Sequence, residues 1–219
     1  MSIGRLLLAV VSVLVLFGVA QRVLDRMQLT DRGALLITAA IFFGGLLPDI
    51  RLGRLAVNVG GALVPFLTAV YLLIKTDTAR EAWRAVVGSL ITAALVFMLG
   101  RVMPDEPERM VIDANYVYGL AGGLVAFVLG RSRRAAFISG VMGVLLADVL
   151  VGVINWKNGI GQTLQLGGAG AMDVIVISGL AAVLLAELAG EITERFSRRE
   201  EKARNALEEA PVRRREKAK

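Results

Sequence analysis

The sequence predicts an all-α polytopic membrane protein: a bundle of about seven transmembrane helices, N-terminus out and C-terminus in. Three observations predict it. The 219 residues are 56% hydrophobic, with a mean hydropathy of +0.65, above the roughly 45–50% apolar share of soluble domains. The excess is gathered into long blocks, which points to lipid as solvent. Those blocks lack strict strand alternation, which argues against a membrane β-barrel.

Seven apolar segments follow one another, at residues 6–20, 33–47, 55–74, 82–100, 114–130, 135–155 and 167–188. A spanning helix needs about 20 residues. The first two segments are short and borrow flanking residues such as Gln21 to Leu24 and Pro48 to Ile50. The first also has the parts of a signal peptide: Arg5, an apolar core, and a small-residue site at Gly18-Val19-Ala20. Against that, Arg22 and Arg26 after it favour retention of that end in the cytoplasm.

Orientation comes from the basic residues of the connections. One alternate set carries Arg22, Arg26 and Arg32, then Lys75, Arg80 and Arg84, then Arg131, Arg133 and Arg134, and finally the tail. The other set carries Arg51 and Arg54, Arg101 and Arg109, and Lys157. The positive-inside rule places the richer set in the cytoplasm, and Trp83 and Trp156 then fall near opposite interfaces. The chain therefore reads as a transmembrane helical domain, 1–190, followed by a charged cytoplasmic tail, 191–219. The expected location is the inner membrane, with the bilayer as first partner.

Composition also excludes chemistry. The chain contains no cysteine and no histidine, so Ser-His and Cys-His nucleophile pairs, HExxH zinc sites and His-ligated haem are ruled out. No metal and no cofactor are called for. The net charge of +6 draws on the basic tail, which suits lipid headgroups rather than nucleic acid.

Against this background two acids stand out, Asp148 in GVLLADVLVGV and Asp173 in GAGAMDVIVISGL. A carboxylate in hydrocarbon costs roughly 2.5–3.5 kcal/mol on insertion scales, which makes such residues functional candidates. Asp148 lies about 10 Å before the outer end of the sixth helix and Asp173 about 9 Å inside the start of the seventh. Two antiparallel neighbours thus carry acids at nearly equal depth. If the seventh helix starts late, Asp173 becomes a plain helix-start acid. Asn58, Asn115, Tyr116 and Asn155 gather in the same outer third, with Asp49, Asp113 and Tyr118 nearby; Asn155, seven residues after Asp148, shares its face. Asp49 and Asp113 read as helix-end capping groups. Together these residues predict a polar cavity open to the outside.

Glycines mark close approaches. Gly60-Gly61, Gly122-Gly123 and Gly140-x-x-Gly143 fit small-residue helix packing. The run Gly167-Gly168-Ala169-Gly170 before Asp173 fits either tight packing or an irregular helix start, which membrane depth tolerates only where it is buried or lines a cavity. Gly168 and Gly170 therefore join the candidate binding residues. Val59-Gly60-Gly61-Ala62 in the third segment also echoes Ala121-Gly122-Gly123-Leu124 in the fifth, a faint sign of a repeat.

Two carboxylates in one low-dielectric site do not both ionise easily, so the pair would hold one proton. That supports proton- or monovalent-cation-linked transport of an unknown solute. It also supports an intramembrane aspartyl-protease-like enzyme acting on a membrane peptide, one acid serving as base and the other as proton donor. A non-catalytic scaffold is the third reading. A homo-oligomer is compatible with all three.

Three motifs carry a resemblance: Asn58-Val59-Gly60-Gly61-Ala62-Leu63-Val64-Pro65, Asp113-Ala114-Asn115-Tyr116, and Gly167-Gly168-Ala169-Gly170-Ala171-Met172-Asp173. Through them, over roughly residues 33–187, the chain resembles a family of uncharacterised prokaryotic multi-pass membrane proteins defined by a domain of unknown function. The resemblance implies a bacterial or archaeal inner-membrane protein and brings no activity with it.

Overall fold

A computed structural model describes residues 31–102, 114–130 and 132–190, with the single positions 18, 27 and 29. The first apolar segment apart from Gly18, the loop bearing Asp113 and the charged tail lie outside the described residues. The chain divides into a unit Met1–Ala186 and a unit Glu187–Lys219; every contact below lies within the first. The described chain is mostly helical. In order come α1 (Asp31–Gly45), β1 (Ile50–Leu52), β2 (Leu55–Val57), a π-helical turn (Val59–Leu63) leading into α2 (Val64–Ile74), and α3 (Ala79–Val102). Then follow α4 (Ala114–Gly130), α5 (Arg133–Lys157), β3 (Leu164–Leu166), a 3-10 turn (Gly170–Met172) and α6 (Val174–Gly190). Two of these, α3 with 24 residues and α5 with 25, are long and apolar enough to cross a membrane; the other helices are apolar but shorter.

The central post is α5. Ser132 caps it, extended in backbone and accepting from the Ala135 amide through its hydroxyl at 3.0 Å. It buries residues around most of its circumference in its first half, from Ala135 to Val144, because α2, α3 and α4 all pack on it. Small residues set the spacing. Gly88 of α3 faces Ser139, Gly143 faces Thr92, and Gly140 faces Ser178 and Gly179 of α6, while Gly122 and Gly123 of α4 face Ser178 and Ala181. The pairings Gly88–Ser139 and Thr92–Gly143 show α3 parallel to α5; Gly140 beside Ser178, with Asp148 near Asp173, makes α6 antiparallel to it.

One end of this bundle is tied by charge. Arg134 donates to the Lys75 carbonyl at 2.9 Å, pairs with Asp77, and lies 3.7 Å from Glu81. Ser132 donates to Glu81 at 2.6 Å. Arg134, counted above for orientation, thus joins the ends of α2, α3 and α5. Trp83 stands exposed on the early turns of α3 at this end; at the other, Trp156 donates to the Gln162 carbonyl at 2.9 Å.

At the opposite end the third expected helix is interrupted, which corrects the sequence reading, and the seventh has the irregular, late start that the sequence left open as an alternative. The segment at 55–74 begins as a strand, and helix follows only after Asn58. That residue is 3% exposed. Its Oδ1 accepts from the amides of Gly60 at 3.1 Å and Gly61 at 2.9 Å, satisfying two donors that a helix start leaves open. Pro65, in the first turn of α2, has no donor to lose. The segment at 167–188 likewise begins beyond a strand and a turn, and its helix starts at Val174. The short sheet has the order β1-β2-β3. β1 and β2 form a hairpin turning at Gly53 (φ 63°), and β2 runs parallel to β3 with Ala56 opposite Gln165.

Glycine makes this junction physically accessible. A Cβ on Gly60 would stand 2.1 Å from the Ile41 carbonyl oxygen and 2.2 Å from the Gly45 nitrogen; one on Gly61 would stand 2.1 Å from the Gly167 oxygen. Three backbones therefore touch directly: the end of α1, the π-helical turn and the loop after β3.

Candidate functional site

On its C-terminal half α5 presents Asp148, Val151 and Asn155 on one face, at the i, i+3, i+7 spacing of a helix. That face looks onto a cavity of about 330 Å³ closed by Val96, Phe97 and Arg101 of α3 and by Tyr118 of α4. The Arg101 guanidinium sits 4.6 Å from the centre of the Phe97 ring, an attractive placement for a cation over an aromatic face. Asp148 is half-buried, and among the described residues no hydrogen bond is made by its carboxylate. The wall thus combines a carboxylate, a carboxamide, a phenol and a guanidinium on an otherwise apolar surface.

Asp173 is held differently. It precedes α6 as its cap, with Oδ1 accepting from the Ile175 amide at 3.1 Å and Oδ2 from the Ala169 amide at 3.1 Å. Both oxygens are engaged by backbone, one by the helix and one by the turn before it. Asp148 and Asp173 lie close enough for their charges to interact. Among the described residues no hydrogen bond joins them, and Asp173 is not part of the cavity wall.

The remaining expected residues divide. Asn155 lines the cavity with Asp148. Asn58 does not: besides its two accepted bonds, its Nδ2 donates to Asp49 at 3.0 Å and the Leu47 carbonyl at 3.4 Å, so it locks the interruption. Asp49 also accepts from Gln165 at 3.0 Å, linking α1, β2 and β3. Gly170, buried with φ 61°, lies against Gly45, while Gly168 is exposed beside the Gln165 side chain. Tyr116 is 42% exposed and stands apart from the cavity wall. Asn115 belongs to the first turn of α4, and its side chain lies outside the described residues.

Tyr118, grouped with the outer polar residues from sequence, lines the cavity, while Arg101 and Phe97 are among the wall residues that sequence reading did not single out. A signal for Tyr118 exists: Tyr118, Gly122 and Gly119 share a helix face, and those glycines pack on α6. Arg101 carries no signal beyond its place at the end of α3. A second cavity, of about 250 Å³, is wholly apolar and lies between the π-helical turn, α2 and α5. Among the described residues no group of three or more acids is placed to hold a metal ion.

A family model described as "Protein of unknown function (DUF1614)" matches residues 8–185. No curated protein and no solved structure matches the chain.

Proposed function

The chain belongs to the DUF1614 family of proteins of unknown function, and we propose that it is a multi-pass inner-membrane transporter in which Asp148 binds the coupling proton or monovalent cation. In this reading the seven apolar segments span the membrane, with the N-terminus outside and the tail in the cytoplasm. The Asp148 end then faces outward, and Arg134 lies at the cytoplasmic surface. The interrupted third and seventh segments fit the same setting: strand and turn backbone at membrane depth is stable only when paired inside protein, and discontinuous helices are common in transporters.

The observation that carries the reading is the chemical situation of Asp148. It is a half-buried acid on a cavity wall without a backbone partner among the described residues, accompanied by Asn155 and Tyr118 as polar neighbours. Such an acid can exchange a proton for a small cation as its surroundings change. The protease reading needs two carboxylates turned to one water. Asp173, with an amide on each oxygen, is poorly placed for that role and serves instead as a fixed negative neighbour.

Carbodiimide labelling tests the site directly, because the reagent modifies protonated carboxyls within the bilayer. Peptide mass spectrometry on the purified full chain is expected to find Asp148 labelled and Asp173 spared. Labelling should fall as pH rises and as Li⁺ or Na⁺ is added. An Asp148 that resists the reagent, or is labelled equally at every pH and cation concentration, sinks the proposal.

A further inference from the structure

Below the cavity floor the contact between α3 and α5 carries a file of hydroxyls. Val96 and Ala147 close the cavity. One turn down, Thr92 packs against Gly143; Ser178 of α6 faces Gly122, which also meets Val96. Thr92 and Ser178 are fully buried, and neither hydroxyl has a hydrogen-bond partner among the described residues. A further turn down, Ser89 and Ser139 both donate to the Ala85 carbonyl, at 2.8 and 3.2 Å. The file ends at Glu81, which accepts from Ser132. From Val96 and Ala147 to Thr92 and Gly143, and on to Ser89 and Ser139, each step is about one turn, or 5.4 Å, a gap that one water bridges; from Ser89 to Glu81 the step is eight residues, about two turns, and in this path more than one water spans it.

Apolar side chains would pack this seam without penalty, whereas a buried hydroxyl with no partner is costly. The polar choice at Thr92 and Ser178 therefore calls for a reason. We propose that the α3–α5 seam, with Ser178 of α6, is a proton path joining Asp148 to Glu81. The inference rests on the role given above to Asp148 and adds the route by which its proton leaves for the other side. At each hydroxyl a proton arrives on an oxygen lone pair and the hydroxyl's own proton departs. O–H bonds alone form and break, and one proton is delivered to the Glu81 carboxylate for each one Asp148 gives up. Glycine at 88, 122 and 143 lets the helices close around the file, so that solutes larger than water are excluded.

The test uses the purified full chain in phosphatidylethanolamine–phosphatidylglycerol vesicles containing a trapped pH-sensitive dye. A potassium gradient with valinomycin supplies the driving voltage. Wild-type vesicles are expected to take up protons faster than protein-free ones, and D148N to abolish the excess. The T92V/S178A double variant should lower it at least tenfold, and T92S should keep it. Thermal melting in detergent shows whether the double variant is folded, and either single variant replaces it if it is not. Wild-type flux in T92V/S178A alongside loss in D148N would place the path elsewhere and leave Asp148's role intact. Wild-type vesicles no faster than empty ones would overturn the path outright, with Asp148 then judged by its labelling alone.

Discussion

At its Asp148 end the molecule has a continuous half, built of α3, α4 and α5, and an interrupted half, built of β2, α2, β3 and the start of α6. In the continuous half, helical hydrogen bonds satisfy the backbone, so Asp148, Asn155 and Tyr118 are left to line a cavity. In the interrupted half the backbone needs partners, and Asn58, Asp49 and Asp173 provide hydrogen bonds to or around it. The comparison teaches that an apolar sequence context alone does not separate a structural acid from one left free on a cavity wall. What matters is whether the nearby backbone already claims its oxygens.

The comparison can be broken by substitution. The largest effect is expected at Gly60→Ala, whose methyl would meet three backbone atoms with no flexible side chain to yield. A loss above about 4 kcal/mol, or no folded protein, should follow; a normal melting profile in detergent would show that the three backbones do not meet. Asn58→Ala comes next. It strips the cap and strands two buried amides, at about 2–4 kcal/mol, read as a lowered melting temperature. The smallest pair sharpens the contrast most. Asp173→Ala should cost about 1–2 kcal/mol as a lost cap, whereas Asp148→Asn should change stability by under about 0.5 kcal/mol while removing cation-sensitive labelling. Equal destabilisation by the two would mean that Asp148 is also structural.

Much of the continuous half is legible in the sequence. The segments at 82–100, 114–130 and 135–155 correspond to α3, α4 and α5 within a few residues, as 33–47 does to α1 outside that half, because apolar length is a strong signal. The spacing of Asp148 and Asn155 also places both on one face without a structure. The interruptions are harder to read. Three-residue strands show no alternation; Leu55-Ala56-Val57 passes as a helix start, and Leu164-Gln165-Leu166 falls in the connection before the seventh segment. Asn58 ahead of Gly60-Gly61, and glycine at 167, 168 and 170, were the available signs; each is equally a sign of ordinary packing. Arg101 and Phe97 enter the cavity through the relative placement of α3 and α5, which no local pattern encodes.

The parallel pairing of β2 with β3 has a consequence for how the chain is made. Leu55, Ala56 and Val57 acquire one hydrogen-bonding neighbour from the hairpin, early in synthesis. The other comes from Leu164–Leu166, half the chain later. Until then one edge of β2 has no strand beside it, and the Gly61 surface lacks the Gly167 loop that covers it. Biogenesis must therefore shelter a half-finished element while α3, α4 and α5 are made. A nascent chain stalled before residue 164 should be a preferred client of chaperones and quality-control proteases, and release should come with the arrival of β3.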